Sequence, residues 1–144
     1  MKTMKLFELK KNKSDFEKVK ITTSRNAYDV IRKFYHEDIL IYESFFILML
    51  DRANNTIGYA KISQGGIAGT VVDLKIIAKY CIDSLCSGVI LAHNHPSGNL
   101  KPSIQDKEIT KKIKNGLNLL EVNTFDHLIL TEESYYSFSD NSEL

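Results

Sequence analysis

The apolar positions of this chain fall into short runs separated by turn residues, and their spacing changes from element to element. SFFILMLD (44–51) is an almost continuous apolar run closed by RANN, which reads as a central strand buried on both faces. TIGYAKISQGG (56–66) follows as its hairpin partner, and glycines 65, 66 and 69 predict a bulge or a close backbone approach there. SGVILA (87–92) reads as another buried strand. KVKIT (18–22) reads as a short early strand, and LNLLEV, FDHLILT and SYYSFS as three late ones. Between them the spacing is helical. Ser24 caps a helix to about His36 with Ala27, Ile31, Phe34 and Tyr35 inward, and Asp73 caps one to about Cys86 with Ile77, Tyr80, Cys81 and Leu85 inward. A third helix runs from Ser103 to Asn115 and closes at Gly116. Strands alternating with three helices imply an α/β or α+β fold around one mixed sheet.

At 144 residues the chain fits one domain, 1–144, with its core over about 20–139 and residues 1–12 loosely held. The longest apolar stretch has strand length, so no membrane span is expected. The opening MKTMKLFELKK lacks the apolar stretch of a signal peptide, which points to the cytoplasm. A net charge of +1 argues against wholesale capture of nucleic acid. The lysines at 111, 112 and 114 read as a solvated face. Cys81 and Cys86 are too few and wrongly spaced for a disulfide framework or a CxxC site, and read as small buried thiols.

Candidate chemistry gathers in HNHPSGNLKPSIQD (93–106), just past a buried strand, where a rigid element aims a loop. His93 and His95 are two residues apart, so in an extended segment both imidazoles point the same way. Pro96 keeps His95 extended. Pro102 likewise places the helix start at Ser103, which puts Asp106 at the third helical position, near the histidines. Two imidazoles and a carboxylate suit zinc, with a fourth position left for a water whose pKa falls to about 7. Among several candidate bases Glu43 stands out, at the mouth of the strand SFFILMLD. By spacing alone, HxH is a weak signal and Ser103 with Asp106 is also a capping-box variant. His127 reads as a structural or rim residue rather than a further ligand, and His36 as a helix-end residue. Tyr135 and Tyr136 read as packing rather than a base-stacking platform.

His93, His95, Ser103 and Asp106 together spell HxH, seven residues, then SxxD. This resembles the metal-binding signature of the JAB/MPN (JAMM) metallohydrolases, and HNHPSG with the following PSxxD resembles their bacterial RadC-like branch. ESFFILMLD with NNTIG, ISQGG, GVILAHNHPSG and FDHLILTEESYYSF extend the likeness from about residue 20 to 139. The resemblance implies a JAB/MPN, cytidine-deaminase-like fold. It implies His93, His95 and Asp106 as zinc ligands, Glu43 as general base, Ser103 as stabiliser of the oxyanion, and Asn94, Ser97 and Gly98 as shapers of the loop. The implied reaction is hydrolysis of an amide, peptide or isopeptide bond in a peptide or protein conjugate. There are two departures. Fuller relatives carry an N-terminal helix-hairpin-helix region associated with DNA, which this chain begins too late to contain. Lys75 stands where relatives often have arginine, so a bidentate partner would be lost. The letters HNH do not indicate an HNH nuclease, whose residues are spread over tens of positions.

Two other functions compete with the hydrolase. One is a non-enzymatic accessory role in DNA repair or mobile-element biology, which the lysine clusters would serve. The other is a metal-stabilised structural domain. An intact ligand set with a base and an open position favours the enzyme. The expected cofactor is Zn2+, and a homodimer is compatible with the pattern.

Overall fold

The computed structural model describes residues 2–6, 12–14, 16–65 and 71–144. A five-stranded mixed sheet in the order β2-β1-β3-β4-β5 forms its centre. The strands are β1 (Glu43–Leu50), β2 (Thr56–Gly65), β3 (Gly88–Asn94), β4 (Asn123–Leu130) and β5 (Tyr135–Ser137). β1 is antiparallel to both β2 and β3, β3 is parallel to β4, and β4 is antiparallel to β5. The helices are α1 (Ser24–Ile31), α2 (Leu74–Ser84) and α3 (Ile104–Asn118). No described helix is long and apolar enough to cross a membrane.

The near-continuous apolar runs are explained by burial on both faces of the sheet. Alternate residues of β1 enter different cores. Phe46, Leu48 and Leu50 join Ile90, Ala92, Leu128 and Leu130 beneath α1. Phe45, Ile47 and Met49 join Val89 and Leu91 beneath α2 and α3, against Ile77, Cys81, Ile113 and Leu117. This period of two also sorts the end of β3, so that His93 continues the face of Val89 and Leu91 while Asn94 continues the face of Ile90 and Ala92.

The structure corrects several expectations from the sequence. KVKIT supplies one bridge, Lys20 to Asn55, and no strand. The first helix is capped by Thr23, whose side chain accepts from Asn26 N–H, and it ends at Ile31. A 3-10 turn follows over Arg32–Phe34, and Tyr35 leaves extended, which lets its buried hydroxyl donate to the Ser44 carbonyl at 2.7 Å. His36 therefore precedes a second 3-10 turn, Glu37–Leu40, rather than ending α1. In α2 only Ile77 and Cys81 are buried, whereas Tyr80 is partly exposed and Leu85 stands out in a left-handed C-cap at φ 52°. Gly116 does not end α3. It lies inside the helix, where an added Cβ would come within 2.6 Å of a Leu74 methyl, so its small size permits the approach of α2. LNLLEV is the end of α3 and a turn, with Leu117 buried one turn after Ile113 and Leu119 exposed.

Cys81 and Cys86 are buried free thiols. Tyr135 stacks on Tyr28 at 4.5 Å between ring centres, a packing role. Gly65 ends β2 opposite Glu43, whereas the expectations for glycines 66 and 69, and those for residues 1 and 7–11, lie outside the described residues.

Candidate metal centre

Three elements, with the loop that leaves β3 at His95, position the four side chains at the centre. β1 begins at Glu43, β3 carries His93 to its last turn of pleat, and α3 presents Asp106 in its first turn. Phe45 pairs with His93 across the antiparallel β1–β3 ladder, so continuing that register brings Glu43 opposite residue 95. The loop between β3 and α3 starts with a tight turn in which Gly98 N–H donates to the His95 carbonyl at 3.0 Å. Pro96 occupies the second position, which its fixed φ suits, and Gly98 takes φ 83°. Ser97 accepts the Asn99 N–H at 3.3 Å.

At the other end of the loop Ser103 caps α3. Its hydroxyl oxygen accepts Asp106 N–H at 3.0 Å, and Asp106 Oδ2 accepts Ser103 N–H at 2.8 Å, a reciprocal capping box. The capping box thus also aims the Asp106 carboxylate, and among the described residues the Ser103 hydroxyl donates to none.

His93 Nε2 lies 3.0 Å from His95 Nε2 and 3.2 Å from Asp106 Oδ1. His95 Nε2 lies 3.2 Å from Asp106 Oδ2. Glu43 is set further back, with Oε1 3.8 Å from His93 Nε2. Donor atoms of all four residues fall within 4.8 Å of one another. His93 is buried, and the other three side chains are 14–19% exposed, so the cluster is open on one side.

Burial is the largest single influence on Asp106 and pushes its pKa up. The hydrogen bonds that His93 and His95 can donate when charged and without an ion, the charge of His93 and the Ser103 N–H outweigh it and hold the carboxyl well below its usual range. For His95, burial again acts strongest, downward. The Asp106 hydrogen bond, the Asn99 carbonyl and the charges of Asp106 and Glu43 together raise its pKa.

The donor set can be tested against a metal ion by its own chemistry. The Asn99 carbonyl can only accept, so His95 Nδ1, 2.5 Å from it, carries the proton of the neutral ring and leaves Nε2 bare. Metal–ligand bonds of about 2.0–2.2 Å in a tetrahedral site separate the ligand atoms by roughly 3.3–3.6 Å. The three contacts among His93, His95 and Asp106 are close to that spacing. Nitrogen and oxygen donors converging on one point therefore fit a divalent metal ion.

The expectation for Asn94 changes, and that for His127 narrows from a structural or rim role to the structural one. Asn94 does not shape the loop. It faces the opposite side of the sheet, where it is fully buried and binds the backbone at and just before the start of β1, with Oδ1 accepting Ser44 N–H and Nδ2 donating to the carbonyls of Ile39 and Tyr42. His127 is not at the rim but fully buried, stacked on Phe138, with Nε2 2.7 Å from His93 Nδ1 and Nδ1 2.6 Å from Thr110 Oγ1. Burial first, then the charge of His93, pushes the His127 pKa well below the usual histidine value. Nothing in the sequence pattern singles out Thr110, although it stands one helical turn after Asp106 and so on the same face of α3.

A family model described as the RadC-like JAB domain matches residues 21–143. A UPF0758 protein of Flavobacterium johnsoniae is 47% identical over 121 residues, covering 84% of this chain and 52% of that protein. A UPF0758 protein of Porphyromonas gingivalis is 37% identical over 125 residues, covering 86% and 54% respectively. Another from a Janthinobacterium species is 33% identical over 132 residues, covering 89% and 58%. The chain thus spans about half the length of the curated relatives it matches. With the matched region taking in every strand among the described residues and all four residues of the candidate metal site, the chain belongs to the RadC-like JAB domain family.

Proposed function

We infer that this domain is a zinc-dependent hydrolase that cleaves an amide, peptide or isopeptide bond. The observation that carries the reading is the asymmetry of the cluster. Three side chains stand at 3.0–3.2 Å from one another, while the Glu43 carboxylate is held back at 3.8 Å. His93, His95 and Asp106 would hold the ion, and Glu43 is left over beside an open face. When bound, zinc supplies Lewis acidity toward a carbonyl oxygen and acidifies water.

The protein's own groups account for the remaining steps. Glu43 takes a proton from the attacking water and passes it to the leaving nitrogen, as a carboxylate within reach of both can. Ser103 donates its hydroxyl proton to the oxygen on which negative charge develops. The proposed scissile group is an amide carbonyl, which a peptide, a protein conjugate or a small amide would each present.

Zinc content and turnover of a peptide and isopeptide library test this together. Wild type should hold one zinc per chain, Asp106→Ala should lose it, and Glu43→Gln should keep it while hydrolysis falls by at least about 100-fold. Undiminished turnover by Glu43→Gln would overturn the role of the glutamate. Stoichiometric zinc in Asp106→Ala would remove the aspartate from the site.

A second reading, a DNA-binding accessory module, draws on Lys107, Lys111 and Lys114, which line an open groove of about 460 Å³ along α3. It requires binding to duplex DNA that weakens steeply with salt. Lys107 already lies 3.7 Å from Glu143, and the net charge is only +1, so the hydrolase is the better supported function.

A further inference from the structure

We propose that Thr110 and His127 are positioning residues that fix the tautomer of His93, so that its Nε2 lone pair faces the ion. The proposal rests on the zinc reading above and adds residues outside the ligand set. Its basis is a chain of three short contacts leading from α3 through β4 to β3. Thr110 Oγ1 lies 2.6 Å from the Asp106 carbonyl oxygen and 2.6 Å from His127 Nδ1, and His127 Nε2 lies 2.7 Å from His93 Nδ1.

The direction of each bond follows from counting protons. A carbonyl oxygen only accepts, so the single Thr110 proton goes to Asp106 O. The threonine oxygen then has only lone pairs to offer His127, and Nδ1 of that ring must carry the proton. His127 could also be protonated at Nε2 only as a cation. It is fully buried between Phe138 and Phe45, and among the described residues no carboxylate hydrogen-bonds its ring. The adjacent Asp126 is turned away, accepting His127 N–H, Ser139 N–H and the Ser137 hydroxyl. A neutral His127 therefore has a bare Nε2, which accepts Nδ1–H of His93. That leaves His93 Nε2 bare, on the side where His95 and Asp106 converge.

The same chain starts at the backbone of the proposed ligand Asp106 and ends on the proposed ligand His93. It ties the first turn of α3 to the end of β3 and sets the orientation of the ring as well as its tautomer. Partners of this kind behind a metal-binding histidine typically account for 10–100-fold in metal affinity.

The test is ring-nitrogen NMR of the zinc-loaded protein combined with zinc competition against a chelator. In wild type the spectrum should show the proton of His127 on Nδ1 and that of His93 on Nδ1. Thr110→Val, nearly the same shape, should shift the His127 tautomer and weaken zinc binding about 10–100-fold, and Thr110→Ser should restore both. A His127 proton on Nε2 in wild type would overturn the proposal. So would zinc binding by Thr110→Val equal to that of a wild type that does bind zinc, and that result would leave the hydrolase reading intact. Failure of wild type to bind zinc at all would sink both.

Discussion

Asn94 Oδ1 accepts the backbone N–H of Ser44 at 2.7 Å, which couples the middle residue of the HNH stretch to the residue beside Glu43. Two further bonds from Nδ2, to the carbonyls of Ile39 and Tyr42, fill the capacity of the amide to donate. Asn94 itself is 0% exposed. Each unsatisfied buried group costs about 1–3 kcal/mol. Asn94→Ala should therefore destabilise the fold by about 2–4 kcal/mol in chemical denaturation. Asn94→Asp should be at least as harmful, because it turns a carboxylate oxygen toward two carbonyls. An aspartate variant more stable than the alanine variant would contradict this account of the clamp.

Ser103 combines a capping role with a proposed catalytic one, and substitutions separate them. Alanine at a helix cap costs about 1 kcal/mol, whereas glycine costs only a few tenths. Ser103→Gly should thus stay close to wild-type stability and Ser103→Ala should fall by about 1 kcal/mol, as read by urea midpoints. Turnover should fall alike in both, since both lack the hydroxyl. If activity instead follows stability across the pair, the serine acts only through the cap.

The buried state of His127 has a consequence for the metal-free protein. Its folded pKa is depressed, so the unfolded chain binds a proton that the folded chain refuses once the pH falls below about 6.5. Stability contributed by the neutral ring is complete above that value and is lost as pH falls toward the folded pKa, at up to about 1.4 kcal/mol per pH unit. His95 acts in the opposite sense, because its raised pKa favours the folded state at lower pH. Comparison with His127→Gln isolates the first effect. In chelator, between pH 7 and 5, wild-type stability should fall more steeply than that of the variant. Parallel curves would show that His127 takes up a proton as readily in the folded state.

Much of this architecture was legible in the sequence because burial leaves a periodic trace. The runs 45–50 and 88–92 are apolar at both parities since both faces of the sheet are covered, and they fall in β1 and β3. The capping geometry of Ser103 and Asp106 followed from Pro102 and spacing alone. What misled was local: Leu117 to Val122 has the composition of a strand, but Leu117 is the last core-facing residue of a helix that does not stop at Gly116. Gly116 reads as a stop in sequence, whereas its position is set by contact with Leu74, forty-two residues earlier, which no local pattern records. At the site, the HxH and SxxD pattern marked residues close in sequence. Thr110 and His127 meet only because β4 lies parallel to β3 under α3, so their part required the fold.

Metal removal distinguishes a catalytic from a structural ion. The four residues of the candidate metal site lie at the start of β1, at and just past the end of β3 and in the first turn of α3, and the two apolar cores are assembled from other side chains. Chelation should therefore lower the melting temperature but leave a cooperative transition and native far-ultraviolet dichroism. Loss of the fold on chelation would place the ion among the elements that hold the protein together.

The central claim is that His93, His95 and Asp106 grip one ion, and an anomalous difference map of zinc-soaked crystals, recorded on both sides of the zinc edge, tests it most directly. The account predicts one strong peak about 2.0–2.2 Å from His93 Nε2, His95 Nε2 and an Asp106 oxygen, with Glu43 outside bonding distance. A fully soaked crystal with no peak at that point, or with those side chains turned to separate partners, would contradict it.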